Sequence, residues 1–234
     1  ARGATSDRAL AAALADDDQR QTRQLGVVAA DGRAAAHTGS ECLAWAGHRI
    51  GPGYAVQGNI LAGEAVVAGM ERAYLATAGS LAERLVAALE AGQAAGGDSR
   101  GQQSAAVVVE RVGAAAESRE GVDRICDLRV DDHPEPIAEL RRLLGIHLVW
   151  DALRRATGYH APGRYAEGAA LLRAALKRHG EDAALLYDLA CFEALAGDLS
   201  TALEHLARAV ALDRGLRSSA RVDADFAALR GEGG

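Results

Sequence analysis

The sequence predicts an α+β protein: a layered body of short strands and helices over residues 1–133, followed by an all-helical region over residues 134–234. Three observations carry that reading. Asp31-Gly32 separates two strand-like runs, and Asp-Gly supplies the two positive-φ positions that a tight hairpin turn needs. Strand and helix patterns then follow one another without regular βαβ order, which suits sheets covered by helices better than a doubly wound sheet. Past Pro136 the pattern is helical throughout and repeats every 34 residues.

Taken in order, the chain opens with a helix over Asp7–Ala15, with Ser6 as its N-cap and Leu10 and Leu14 one turn apart. Leu25–Ala29 and Arg33–Thr38 are the two arms of the hairpin. The glycine-rich stretch Gly39–Gly63 carries no assigned strand. Gly63–Ala76 reads as a helix with Val66, Val67, Met70 and Tyr74 as its apolar stripe. Ser80-Leu81-Ala82-Glu83 is a capping box, because the Ser oxygen and the Glu carboxylate each satisfy an orphan N–H. The helix it starts runs to about Ala91, with Leu81, Leu85, Ala88 and Leu89 on one face. Beyond the loop Gly96–Gly101, Ala105–Val109 and Ile125–Val130 are strands, and Pro136–Arg155 is a helix.

Within the helical region Gly163 pairs with Gly197, Tyr165 with Leu199, Leu172 with Leu206, Ala175 with Ala209 and Leu176 with Val210. Leu189-Ala190, Gly197, Ala202, Leu206 and Ala209 fall at tetratricopeptide spacing, with small residues where two helices cross closely. The pattern covers one good repeat, the second helix of the one before it and the start of a third. Arrays need about three repeats to stand alone, so this one leans on the preceding body or is capped by the Pro136–Arg155 helix. Its expected partner is a protein or peptide, and a homo-oligomer is compatible with it.

Composition excludes several classes. The chain has 234 residues, 49% of them apolar and only 4% aromatic, so its core is built from Ala, Leu and Val. The net charge of −6 argues against a nucleic-acid partner. No apolar run is long enough to span a membrane. Cys42, Cys126 and Cys191 form no C-x-x-C pair and read as reduced thiols of a cytoplasmic protein. Gly53 and Gly58 have phosphate-loop spacing, but Asn59 stands where that loop needs Lys. No cofactor is expected.

Three residues are candidates for chemistry. Asn59, in a Gly-rich turn, offers an amide N–H, or neighbouring backbone N–H groups, to a developing oxyanion; the competing reading makes it a helix cap. Asp98 and Arg100 lie in a Gly-flanked loop ahead of a strand, where a carboxylate–guanidinium pair can orient a ligand; the competing reading is a surface ion pair, and Gln103 and Ser104 share that ambiguity. Asp131-Asp132-His133 has metal-ligand chemistry, but three adjacent residues converge poorly on one ion, so a turn before the Pro136 helix is the better reading. Trp45 and Trp150 read as core anchors.

Four segments resemble the bacterial domain of unknown function 1028 family. They are Arg23–Val28 with Asp31-Gly32-Arg33, Trp45-Ala46-Gly47 leading to Gln57–Leu61, Gly96–Ala105, and Asp127–Pro134. Together they cover roughly residues 1–145. The resemblance implies a four-layer αββα sandwich of the N-terminal-nucleophile hydrolase type, here without its first strands. It also implies an amide or peptide hydrolase, with a link to cell-wall peptides because some relatives carry a peptidoglycan-binding domain. In such enzymes a Thr, Ser or Cys at the mature N-terminus attacks the substrate and its own α-amino group is the base. Ala1 has no nucleophilic atom. The alternative expectation is a non-catalytic scaffold that works through its helical repeat.

Overall fold

The computed structural model describes residues 5–111, 113, 123–161 and 163–231. The chain divides into two compact units, Ala1–Leu144 and Gly145–Gly234.

In the first unit, helix α1 (Ser6–Leu14) is capped by Thr5, whose Oγ1 accepts from the Arg8 N–H at 3.3 Å. Ser6, expected as the cap, is the first helical residue and is buried. A cap must keep extended backbone while its oxygen reaches an N–H two or three residues on, and Thr5 meets both conditions. Strands β1 (Gln24–Val28) and β2 (Ala34–Thr38) pair antiparallel across a turn that contains Asp31-Gly32, with Gln24 opposite Thr38. Of the two residues expected at positive φ only Gly32 takes it, at φ 80, because a Cβ makes that region costly for Asp31; the turn closes from the Gly32 N–H to the Ala29 carbonyl at 2.9 Å. A second hairpin, β3 (Gly47–Gly51) and β4 (Tyr54–Gly58), occupies the glycine-rich stretch to which no strand was assigned.

The two hairpins face each other. Alternation puts Gln24, Gly26 and Thr38 on one face of the first, and His48, Ala55 and Gln57 on one face of the second. Those faces meet: Thr38 Oγ1 lies 2.8 Å from His48 Nδ1, and the Gln57 side chain fills the space a Cβ on Gly26 would take. The opposite face of the second hairpin carries Arg49, Tyr54 and buried Val56 and packs on helix α2 (Glu64–Ala76). There Arg49 and Tyr54 both bond the Glu71 carboxylate. Helix α1 packs on the first hairpin. The order is therefore helix, hairpin, hairpin, helix.

Helix α3 (Leu81–Ala94) carries the full Ser80–Glu83 capping box. Its buried face is Ala82, Val86, Ala88 and Gly92, one position round from the expected one, and Leu81 faces solvent. Gly92 admits the Met70 side chain of α2 where a Cβ would stand. Strands β5 (Ala105–Glu110) and β6 (Arg124–Val130) pair antiparallel and bury Val107, Val109, Cys126 and Val130. Helix α4 (Pro136–Ala156) buries Leu140 and Leu144 in this unit, and its Arg141 pairs with Glu90 of α3.

The second unit is helical: the rest of α4, then α5 (Tyr165–His179), α6 (Ala183–Leu195), α7 (Leu199–Leu212) and α8 (Leu216–Val222). Helices α5 and α7 begin at the two positions that the 34-residue period pairs, Tyr165 and Leu199. Helix α6 is central. It packs Leu185, Leu189 and Phe192 against Ala169, Leu172 and Ala175 of α5 and Ala152, Leu153 and Ala156 of α4. Its other side packs Ala190 and Ala194 against Ala202 of α7 and Phe226. Glu193 of α6 is wholly buried and pairs with Arg173 of α5 and His205 of α7, 2.7 Å away on each side. The three cysteines form no disulfide with one another. No helix among the described residues is long and apolar enough to cross a membrane.

Candidate functional site

The segments carrying Asn59 and Asp98 lie against each other. Leu61 and Asp98 form an antiparallel β-bridge. The Ala62 N–H donates to the Gly97 carbonyl at 3.0 Å, and the Ser99 N–H donates to the Ile60 carbonyl at 2.8 Å. The Ser99 hydroxyl donates to that same carbonyl at 2.6 Å. On the other side the Leu61 N–H donates to the Trp45 carbonyl and the Ile60 N–H to the Leu43 carbonyl. Ile60 is held at φ 58, a left-handed conformation that costs a β-branched residue about 1–3 kcal/mol. It persists because both flanking loops hold it.

Asn59 leaves β4 with its side chain exposed and donates Nδ2–H to Gln24 Oε1 at 3.3 Å. It caps no helix; Gly63 is the N-cap of α2. Its neighbours' backbone N–H groups, at Ile60 and Leu61, are taken by carbonyls, which leaves the side-chain amide as the donor facing solvent here. Gln24 is the hub beneath it, with its amide reaching Thr38 Oγ1, the Gly47 carbonyl and the Gly58 carbonyl at 3.1, 3.1 and 2.8 Å. The Gln57 Oε1 is buried with no partner among the described residues. Sequence reasoning missed Gln24, Thr38, His48 and Gln57. The available signal was the alternation that sets Gln24 and Thr38 on one face.

Asp98 and Arg100 bind each other. Arg100 donates through Nε, a terminal nitrogen and its backbone N–H, at 3.0, 2.6 and 2.8 Å. The guanidinium and then that backbone N–H pull the Asp98 carboxyl down to about 2. A carboxylate so acidic is no proton donor at neutral pH; the pair can orient a charged group instead. Gln103 and Ser104 are exposed. The Gln103 carbonyl accepts from the His133 N–H, and its side chain reaches Asp132 at 3.5 Å. Asp131 approaches Arg129, and His133 Nδ1 accepts from the Glu135 N–H, so this trio turns outward to three different neighbours. Trp45 is half-buried, its ring against Gly47. Trp150, expected in the core, is 63% exposed: the buried stripe of α4 runs through Ala152, Leu153 and Ala156 and leaves position 150 outside.

Among the described residues one set of side chains could close on a metal: Cys191, Asp223 and Asp225, with ligand atoms within 4.8 Å of one another. Its carboxylates are already engaged, Asp223 by the Tyr187 hydroxyl at 2.8 Å and Asp225 by His160 Nε2 at 2.9 Å.

A family model described as a family of unknown function, DUF1028, matches residues 1–140. The chain belongs to this family. Among solved structures it is similar to the crystal structure of protein SPO2555 from Silicibacter pomeroyi, also assigned to DUF1028. Sequence identity is 30% and the TM-score 0.51, over 61% of this chain and 60% of that one. The chain thus spans 60% of the length of that relative. No curated protein matches. The DUF1028 segment contains Asn59, Asp98 and Arg100, and the helical unit lies beyond it.

Proposed function

We propose that the DUF1028 segment is the body of an amide- or peptide-bond hydrolase of the N-terminal-nucleophile type, acting on cell-wall peptides, with Asn59, Asp98 and Arg100 in contact with its substrate. The observation that carries the reading is the clamped loop pair. Ile60 sits left-handed between Asn59 and Leu61, locked by Ser99 from the Asp98 loop. Strained backbone held by its surroundings clusters at sites that must present groups in fixed positions. In this reading the exposed Asn59 amide turns to the oxyanion that forms at the scissile carbonyl, and the Asp98–Arg100 pair orients a charged end of the peptide. The layer order of α1, two facing hairpins and α2 supports it. The attacking group is a Thr, Ser or Cys at the first position of the mature protein; Ala1 is not that group, and it lies outside the described residues. The test is hydrolysis of muropeptides and short peptides by the complete protein, followed by mass spectrometry, beside Asn59→Ala and Asp98→Ala.

A second reading, compatible with the first, makes the helical unit a peptide-binding module built on tetratricopeptide-like packing. It is favoured by the register of α5 and α7 around α6, with Ala169, Ala175, Ala202 and Ala209 all buried. A pull-down with the whole chain, compared with a chain ended before Gly158, tests it: a partner retained equally by both counts against it.

A further inference from the structure

We propose that the helical unit binds an arginine or lysine side chain presented by an extended segment of a protein partner, with the cation on Asp188 and the aliphatic stem against Trp150. The proposal rests on the reading of this unit as a peptide-binding module and names what the module recognises.

The site is a cleft of about 440 Å³ walled by Trp150, Leu153, Tyr187 and Leu216, with Arg154 and Asp188 as its charged groups. Trp150 is the largest side chain in it and is 63% exposed. A solvent-facing tryptophan beside a concave apolar wall is a platform for a long cationic side chain, whose stem packs on the ring and whose head the ring face attracts.

The decisive contrast lies between two carboxylates of α6. Glu193 is wholly buried, and the fold gives it Arg173 on one side and His205 on the other. Asp188, little more than one turn earlier, is largely buried too. It has no hydrogen bond and no ion pair among the described residues. Burial, reinforced by the neighbouring Asp223 and Asp225, pushes its carboxyl up to about 6. The basic side chains nearby are bonded elsewhere: Arg154 holds Asp151, and His160, which offsets part of the Asp188 shift, holds Asp225. The Tyr187 phenol and the Cys191 thiol close by are raised by burial and stay neutral, so they neither neutralise nor add to the charge of Asp188. The cleft therefore presents an unpaired, partly desolvated carboxylate backed by two more, next to an exposed indole. A guanidinium or ammonium on an apolar stem complements both features.

The test titrates the whole chain with acetylated, amidated peptides in which Arg, Lys, Leu or Glu stands between flanking alanines, read by tryptophan fluorescence and NMR. The expected result is that the Arg and Lys peptides bind about tenfold or more tighter than the Leu peptide and the Glu peptide does not bind. Asp188→Asn removes that preference, and Trp150→Ala weakens binding of both cationic peptides, with circular dichroism unchanged in each variant. Equal binding of Leu and Arg peptides, or an undiminished preference in Asp188→Asn, overturns the proposal. If Leu or Glu peptides bind as tightly as the Arg and Lys peptides and Trp150→Ala weakens them, the cation assignment fails while the peptide-module reading stands. If no peptide binds, both fail.

Discussion

The Asn59 side-chain amide donates to Gln24 Oε1 at 3.3 Å, and the Gln24 amide in turn reaches the Gly47 and Gly58 carbonyls of the facing hairpin. One side chain thus ties the two hairpins together and supports the candidate donor above them. Gln24→Ala leaves those carbonyls without their donor, and an unsatisfied buried polar group costs about 1–3 kcal/mol. Urea melts of the variant should show a loss in that range, and NMR of the Asn59 side-chain amide should show it released.

The Asp98–Arg100 pair makes a prediction in pH. A depressed native pKa contributes stability above the ordinary carboxylate range, and that contribution is lost as pH falls through the native value, here about 2. The pair is largely exposed, so the energy at stake is small, but the titration itself is measurable. Carbon NMR of the Asp98 carboxyl should find it near 2 in the native chain and raised part of the way back in Arg100→Ala, where the backbone N–H at position 100 still donates to it.

Asp188 has the opposite sign. Its pKa is raised from 3.8 to about 6, so the folded state holds the proton more tightly than the unfolded one. The stability this gives is complete below 3.8 and lost as pH rises through 6. At neutral pH the ionised group costs on the order of 3 kcal/mol, at 1.36 kcal/mol per pH unit. Asp188→Asn should therefore raise the melting temperature of the helical unit at pH 7.5 and change it little at pH 4. A carboxylate that lowers stability when charged, yet lines a cleft, fits a group kept for binding.

Glu193 shows what a supported carboxylate looks like. Arg173→Ala leaves its buried charge with His205 alone. Breaking a buried pair from one side costs on the order of 3 kcal/mol, so Arg173→Ala should melt the helical unit well before Arg217→Ala, whose exposed side chain meets no buried carboxylate. An equal effect of the two variants would show that the pair contributes nothing.

Much of this architecture was legible in the sequence, through local chemistry. The Ser80–Glu83 capping box and the stripe through Val66, Val67 and Tyr74 state short-range geometry and stand in the structure; the hairpin around Asp31-Gly32 stands too, with Gly32 but not Asp31 at positive φ. The β3–β4 hairpin was not legible because its glycines read as loop. In the fold they are spacers: the Trp45 ring, the Tyr54 ring and the Leu61 side chain lie where Cβ atoms on Gly47, Gly51 and Gly58 would stand. Those neighbours come from tertiary packing, which strand propensity does not register. The candidate loops around Asn59 and Asp98 were each visible, but their bridge depends on the left-handed turn at Ile60, which an isoleucine gives no reason to expect. Asp188 was invisible for a similar reason: on a helix read from the sequence an aspartate looks solvated, and only the folded cleft reveals that it lacks a partner.

The central claim is that Asn59 and the Asp98 loop contact the substrate of an amide hydrolase. Mass spectrometry of a muropeptide and peptide mixture, incubated with the complete protein and with its Asn59→Ala and Asp98→Ala variants, tests it most directly. The account predicts cleavage at an amide bond by the parent protein and a drop of about 100-fold in Asn59→Ala, the scale of one lost oxyanion donor, with weakened substrate binding in Asp98→Ala. No amide cleavage by the parent, or equal cleavage by all three folded proteins, would contradict it.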